Sequence, residues 1–382
     1  MKRAVWLVMV VVLVVGLLPL QTRAAELEVP GKSALLMDVA TGTVLFENNA
    51  HEKLAPASVT KVMTMLLIME AIDSGRIGWN DTVTASEAAA AKGGSQVYLK
   101  VGETMTVAEM VKSIAVSSAN DCACAMAEHI AGSETAFVAM MNQRAQELGM
   151  NDTHFVNCTG LDDSEDAKEH RTSAYDIALM SRELMANHPD IKQYTTIWMD
   201  TVRNGAFGLS NTNKLVRFYP GATGLKTGFT SGAGYCLSAT AQRDGMELIA
   251  VVMGCDTSKD RFNACKAMLD HGFANYALVS PQLSGELSVP VKLGKAPRVS
   301  VEPGKSSALL IDKAHKSSVT TDIRLDKAVS APVSKGQKLG TMTVRAGEQI
   351  LLQVPMVAVD PVERLTYGDI FMQVLRRVFL GK

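Results

Sequence analysis

Residues 57–73 form a segment that is apolar on almost every side when it is placed on a helix. A surface helix keeps a polar face, so a helix without one has to be surrounded by the rest of the protein. The segment nevertheless contains Lys61, and Ser74-Gly75 marks its end. We therefore expect a central, buried helix that holds a lysine away from free contact with water.

Turn residues between short apolar runs predict strands at both ends of the first 280 residues, with helices between and after them. The predicted strands are 35–38 and 43–46 around Thr41-Gly42, and 235–242 and 246–254 around Arg243-Asp244-Gly245; the further helices are 106–131, 134–149 and 258–276. These strands can pair into one antiparallel sheet with helices packed on it, which is an α+β fold.

The first 25 residues predict an export signal peptide. Lys2 and Arg3 precede an uncharged apolar stretch at 4–20, and small residues allow cleavage after Ala24 or Ala25. Because that stretch is slightly longer than in most signal peptides, an uncleaved membrane anchor is the alternative. Both alternatives place the bulk of the chain on the outer face of the cytoplasmic membrane.

Charge and cysteine spacing argue against several other classes. The net charge of -1 gives no reason to expect nucleic-acid binding. No CxxC pair or HExxH motif is present, so we expect neither a metal nor another cofactor. Cys122 and Cys124 point to different sides of a helix, and we expect most of the six cysteines to be buried as small apolar residues.

Composition changes near residue 280. From 287 to 360, short alternating runs of Val, Leu and Ile are broken by turns at Pro303-Gly304, Lys335-Gly336 and Ala346-Gly347. We predict a first domain at 26–280 and a small all-β domain at 281–365.

Residues 366–382 predict an amphipathic helix. Its apolar stripe comprises Ile370, Phe371, Val374, Leu375, Val378 and Phe379. With Arg376, Arg377 and Lys382 among its polar residues, this helix is expected to bind a membrane surface. The alternative is a helix docked on the protein's own surface.

Three short motifs could carry chemistry. Ser58 and Lys61 lie one helical turn apart, and a lysine whose pKa is lowered by burial can accept the serine proton. Ser118 could relay a proton and Asn120 could hold an amide, while Lys226-Thr227-Gly228 could bind a carboxylate beside a closely approaching backbone. Alone, each motif has a plain alternative: a helix N-cap with a solvated lysine, a loop, and a turn leading into a strand.

The order and long separation of these motifs in an exported chain resemble the penicillin-binding proteins and class A β-lactamases. Over roughly residues 30–380, the chain resembles the low-molecular-mass penicillin-binding proteins, specifically the D-alanyl-D-alanine carboxypeptidases. The similar segments are 54–61, 120–121, 154–157, 160–162, 223–228, 269–273, 331–336 and 354–358. The resemblance implies a β-lactamase/transpeptidase-like sheet with helices on both faces and an α-helical cluster.

The resemblance also implies a role for each motif residue, with peptidoglycan stem peptides as substrate and β-lactams as covalent inhibitors. Ser58 would be the acylated nucleophile, Lys61 its base, and Ser118 and Asn120 would complete the proton network and hold the substrate amide. Lys226, Thr227 and Arg261 would bind the terminal carboxylate beside Gly228. The backbone N–H groups of Ser58 and Phe229 would form the oxyanion hole. Many relatives have histidine at position 229, so a side-chain role there does not carry over.

Three alternatives are weighed against this interpretation. A class A β-lactamase would carry Glu-x-x-Leu-Asn after the Ser-x-Asn motif, and 162–171 has none. A wall-binding scaffold that keeps the fold would not need intact Ser58, Lys61 and Lys226. Endopeptidase activity on cross-links would use the same residues, and the sequence does not separate it from carboxypeptidase activity.

Overall fold

The computed structural model describes residues 27–281, 283, 285–304 and 308–380. The predicted signal peptide at 1–25 lies outside the described residues. Each of the two predicted regions, 26–280 and 281–365, contains a sheet of its own.

The first sheet has five antiparallel strands in the order β2-β1-β9-β8-β7. The bounds of these strands are β1 Ser33–Asp38, β2 Val44–Asn48, β7 Ala222–Thr230, β8 Gly234–Arg243 and β9 Met246–Cys255. The two predicted hairpins are confirmed, and β1 and β9 pair along their whole common length, so both ends of the region meet in one sheet. Strand β7 lies at one edge.

Ten helices complete the described chain, apart from short 3-10 turns. Their bounds are α1 Lys61–Asp73, α2 Glu87–Ala90, α3 Val107–Ser117, α4 Asn120–Ala131, α5 Glu134–Glu147, α6 Ala174–Asn187, α7 Lys192–Thr195, α8 Leu215–Phe218, α9 Ser258–Asn275 and α10 Tyr367–Leu380. Helix α9 covers one face of the sheet, and α1 and α6 belong to the larger core on the other face. The predicted α+β arrangement with helices on both faces is confirmed.

Helix α1 lies inside the α-helical cluster, as its composition predicts. Ten of its 13 residues are buried, and it packs against α3, α4, α5 and α6. One local prediction is wrong: the helical run 106–131 is divided in two. Ser118 takes a left-handed conformation with φ 64°, which a right-handed helix cannot continue. The N–H of Asn120 then bonds to the carbonyl of Ser95, which fixes the new chain direction.

The second sheet has six strands in the order β14-β16-β17-β12-β11-β15. The bounds are β11 Ser288–Lys292, β12 Arg298–Pro303, β14 Val319–Leu325, β15 Val329–Ser330, β16 Lys338–Ala346 and β17 Gln349–Ala358. It encloses a separate apolar core, which confirms the all-β character of this region. The exact domain bounds stay a prediction.

The described residues also form three small two-stranded sheets. They pair β3 Thr82–Thr84 with β4 Thr104–Thr106, β5 Met199–Val202 with β6 Phe207–Ser210, and β10 Tyr276–Val279 with β13 Leu309–Asp312. The last pair joins residues on both sides of the change in composition near 280. Among the described helices, none has the length and apolar character that crossing a membrane requires.

Gly160 holds the loop after α5 against the start of α1. It has φ +80°, and a Cβ there would lie 1.8 Å from the carbonyl oxygen of Ala57. Gly160→Ala should therefore lower the free energy of unfolding by at least about 3 kcal/mol, because the neighbouring backbone must move and the new alanine must adopt a strained φ. Urea unfolding of the purified protein measures this.

Gly149→Ala is the matched control, because Gly149 has φ +74° and open space around its Cβ position. We expect it to lower the free energy of unfolding by only about 1–2 kcal/mol. Equal losses in the two variants would contradict the importance of this contact.

Candidate active site

A 3-10 turn at Ala57–Thr60 leads into α1 and carries Ser58. Within it, Ala57 has φ 48°, a conformation that residues with a Cβ seldom adopt. The Nζ of Lys61 lies 3.0 Å from the Oγ of Ser58 and donates a second hydrogen bond to the carbonyl of Thr159, at 2.8 Å. The predicted pairing of serine and lysine across one turn is therefore present in the structure.

The amine of Lys61 is fully buried. Burial lowers its pKa to about 7, although the nearby Asp121 carboxylate opposes that shift. A charged ammonium loses hydration in such a place, so the neutral amine is favoured. At neutral pH, a large share of the molecules thus has an unprotonated amine in contact with the Ser58 hydroxyl.

Ser118 and Asn120 lie at the break between α3 and α4. Both are nearly fully buried. The Nδ2 of Asn120 donates to the carbonyl of Gly93 at 2.7 Å, whereas its Oδ1 is buried with no hydrogen-bond partner among the described residues. A buried acceptor without a partner is costly, and a donor supplied by a ligand would satisfy it.

Lys226, Thr227 and Gly228 lie inside the edge strand β7, and not in a turn leading into it. A Cβ on Gly228 would lie 2.6 Å from the carbonyl oxygen of Pro56, so only glycine lets β7 pass so close to the Ser58 turn. Thr227 donates to the Oγ1 of Thr212 at 2.7 Å. The strand thus brings the third motif to the first.

Lys226 is 1% exposed, and its Nζ donates to the carbonyl of Thr227. Burial lowers its pKa well below the ordinary value, and the positive charges of Lys61 and Arg261 lower it further. Lys226 and Arg261 form no ion pair with an acid anywhere in the described chain. The site therefore holds two buried basic groups without a counter-ion.

Arg261 approaches the site from α9, on the inner side of β7. Its Nη1 donates to the carbonyl of Gly228 at 2.8 Å, and its Nε is buried without a partner among the described residues. Phe229 is 51% exposed and stacks on Tyr235 with 4.2 Å between ring centroids. The guanidinium lies 5.2 Å from the Tyr235 ring, which completes a stack of three side chains.

Sequence reasoning assigned no role to several groups that shape this site. Thr159 supplies the carbonyl that holds Lys61, and Asn157 accepts hydrogen bonds from the N–H groups of Thr159 and Gly160. Asp121 is buried and accepts from the N–H of Leu99. The only signal available in the sequence was their position beside the motifs, since these contacts join distant segments.

The six cysteines are all buried, as expected for most of them, and they are free thiols in the structure. Glu70, Glu183 and His188 are the one group within the described residues whose ligand atoms are close enough to hold a metal. Arg144 already bridges the two carboxylates, with N–O distances of 2.7 Å to each. This cluster is satisfied by an internal cation and lies at the far end of α1 from Ser58.

Comparisons with known proteins agree with this geometry. A family model described as D-alanyl-D-alanine carboxypeptidase matches residues 20–257, and one described as the C-terminal domain of penicillin-binding protein 5 matches residues 283–364. The D-alanyl-D-alanine carboxypeptidase DacF of Bacillus subtilis is 42% identical over 348 residues, which cover 90% of this chain and 88% of the relative. DacC of Escherichia coli is 32% identical, with 88% and 85% covered.

Solved structures show the same likeness. Penicillin-binding protein 5 from Haemophilus influenzae superposes with a TM-score of 0.74 at 30% identity, over 88% of this chain and 98% of that one. Penicillin-binding protein D2 from Listeria monocytogenes in its ampicillin-bound form gives a TM-score of 0.59 at 31% identity, over 65% and 99%. The class A β-lactamase alternative is not supported. The chain belongs to the D-alanyl-D-alanine carboxypeptidase family of penicillin-binding proteins.

Proposed function

We propose that this protein removes the terminal D-alanine from peptidoglycan stem peptides through an acyl-enzyme on Ser58, and that β-lactams acylate the same serine. One observation carries the proposal: the Ser58 hydroxyl lies 3.0 Å from a buried lysine amine whose pKa is lowered to about 7. A nucleophile and a neutral base in hydrogen-bond contact are what covalent acyl transfer needs.

The reaction has two steps. Ser58 Oγ attacks the carbonyl between the two D-alanines while Lys61 takes its proton, and the N–H groups of Ser58 and Phe229 stabilise the oxyanion. The C–N bond then breaks, and the proton reaches the leaving amine through Lys61 and Ser118. Water hydrolyses the ester in the second step, which frees Ser58. A β-lactam follows the first step, but its acyl-enzyme is hydrolysed slowly.

Three features support binding of an extended peptide with a free carboxylate. Strand β7 is an edge strand, so a substrate backbone can pair along it. The buried Oδ1 of Asn120 can accept the substrate amide N–H. Lys226 and Arg261, with Thr227, can receive the carboxylate, whose negative charge would raise the pKa of Lys226 and repay the burial of both cations.

We expect Ser58→Ala to abolish covalent labelling by penicillin and to lower D-alanine release from a pentapeptide at least about a thousandfold. Intact-mass spectrometry with peptide mapping, and an assay of free D-alanine, measure the two effects. Ser74→Ala, at the exposed end of the same helix, should leave both unchanged. Labelling or release that persists in Ser58→Ala would refute the assignment.

The acylation rate should rise with pH and level off above about 8. Lys61 acts as a base only when it is unprotonated, and its pKa is lowered to about 7, so the rate at pH 6 should be about tenfold below the plateau. Stopped-flow acylation by a penicillin, whose carboxylate stays ionised across this range, gives the profile. Lys61→Arg keeps the charge but cannot deprotonate, and should be inactive at every pH. A flat wild-type profile from pH 5 to 8 would contradict the role of Lys61.

We also propose that the exported protein is held at the outer face of the membrane by α10. Among the apolar residues of this helix, Phe371, Val378 and Phe379 are 64%, 71% and 76% exposed. That exposure supports membrane binding over docking on the protein's own surface, because a docked helix would cover its apolar side.

The double variant Phe371→Ser/Phe379→Ser should bind anionic lipid vesicles at least about tenfold more weakly, because it removes two exposed rings that would insert into the membrane interface. Vesicle flotation measures binding. Gln373→Ser, off the apolar stripe, is the control and should bind like the wild type. Equal binding by both variants would show that α10 is not the anchor, and soluble-peptide hydrolysis should be unaffected in either.

A further inference from the structure

His170 is a buried side chain that the proposed chemistry does not use. It is 3% exposed and packs against Phe155 with 5.6 Å between ring centroids. Isolated β-bridges hold the two residues that come after it in the chain: Arg171 pairs with His154, and Thr172 pairs with Leu54. The histidine therefore has a fixed position close to the residues that precede the Ser58 turn.

The partners of the imidazole determine where its proton lies. The backbone N–H of Val156 is only a donor, and it bonds to Nδ1 at 3.1 Å, so Nδ1 carries no proton. The proton of the neutral ring is then on Nε2, which donates to the Oγ1 of Thr60 at 2.8 Å. Thr60 in turn donates its own proton to the carbonyl of Ala57, at 2.8 Å. Every donor in this chain of three hydrogen bonds has one acceptor.

The imidazole of His170 is neutral at neutral pH. Burial lowers the pKa of His170 to about 4, and the basic side chains of His154, Arg171 and Lys61 lower it further, against an opposing effect of Asp166. A protonated ring would place an N–H at Nδ1 against the N–H of Val156, which would break the first bond of the chain.

This series of hydrogen bonds ends on a residue of the site with an unfavourable backbone conformation. Ala57 has φ 48°, and its carbonyl is confined between Thr60 and Gly160. The next residue is Ser58, whose Oγ must stay within hydrogen-bond reach of Lys61. A turn in an unfavourable conformation persists only when its surroundings hold it.

We propose that His170 is a positioning residue: acting through Thr60, it holds the Ala57 carbonyl and thereby fixes the Ser58 nucleophile for attack. This inference rests on the proposed function, because it concerns the same acylation step. Displacement of a reacting atom by about 1 Å can cost about a hundredfold in rate, so loss of the restraint should slow the chemistry more than it weakens binding.

Thr60→Val tests the proposal, since it keeps the shape of the side chain and removes its hydroxyl. The first-order acylation constant at saturating penicillin should fall at least tenfold, while the half-saturating concentration changes less than threefold. Thr60→Ser restores the hydroxyl and should stay within threefold of the wild type. The control is Thr195→Val, equally buried, whose hydroxyl donates to the carbonyl of Thr223 instead. It should lower the melting temperature but leave the acylation constant within threefold.

The proposal fails if folded Thr60→Val acylates at the wild-type rate, or if Thr60→Ser loses as much as Thr60→Val. His170→Phe adds a second test, with folding checked by circular dichroism. Combined with Thr60→Val, it should slow acylation no further than Thr60→Val alone, since both act on one chain of bonds. If the losses in acylation rate of the two single variants multiply in the double variant, His170 and Thr60 do not act through one series of hydrogen bonds. If the wild type forms no adduct on Ser58, the proposed function itself fails, which intact mass distinguishes from all these outcomes.

Discussion

The exclusion of water from the Lys61 amine is the constraint on which the rest of this structure depends. A lysine on a solvated helix face would remain an ammonium ion, and the neighbouring hydroxyl would gain no base from it. The apolar surroundings of α1 lower the pKa of Lys61, while the Thr159 carbonyl and the Ser58 hydroxyl keep the buried amine hydrogen-bonded. The helical cluster thus serves the chemistry by keeping this amine away from water.

Two of the eight non-glycine residues with positive φ in the described chain belong to the active site. Ala57 and Ser118 both adopt positive φ, and each stands beside a residue with a proposed role in catalysis. Such conformations are costly and survive where packing and hydrogen bonds impose them. Gly160 and Gly228 permit the necessary contacts, because a side chain at either position would collide with the turn before Ser58. These local conformations lower the stability of the fold, and they bring the reacting groups together.

Electrostatic balance in the site is incomplete without a ligand. Lys226 and Arg261 are buried basic side chains with no acidic partner in the described chain, and the Oδ1 of Asn120 is an unsatisfied acceptor. A peptide that ends in a carboxylate supplies a negative charge for the two basic groups. Its amide N–H supplies a hydrogen-bond donor for the Oδ1 of Asn120. The same reasoning explains why a β-lactam, which carries a carboxylate and a reactive amide, can occupy the site of the peptide.

The sequence by itself determined the buried helix 57–73, the two hairpins of the first sheet, the all-β region and the residues of the three motifs, because these follow from local composition and spacing. It did not determine the break at Ser118, the location of Lys226 inside a strand, or the carbonyl of Thr159, which lies 98 residues from Lys61 along the chain. Those features come from contacts between distant segments, and only the tertiary structure decides which backbone groups meet a given side chain.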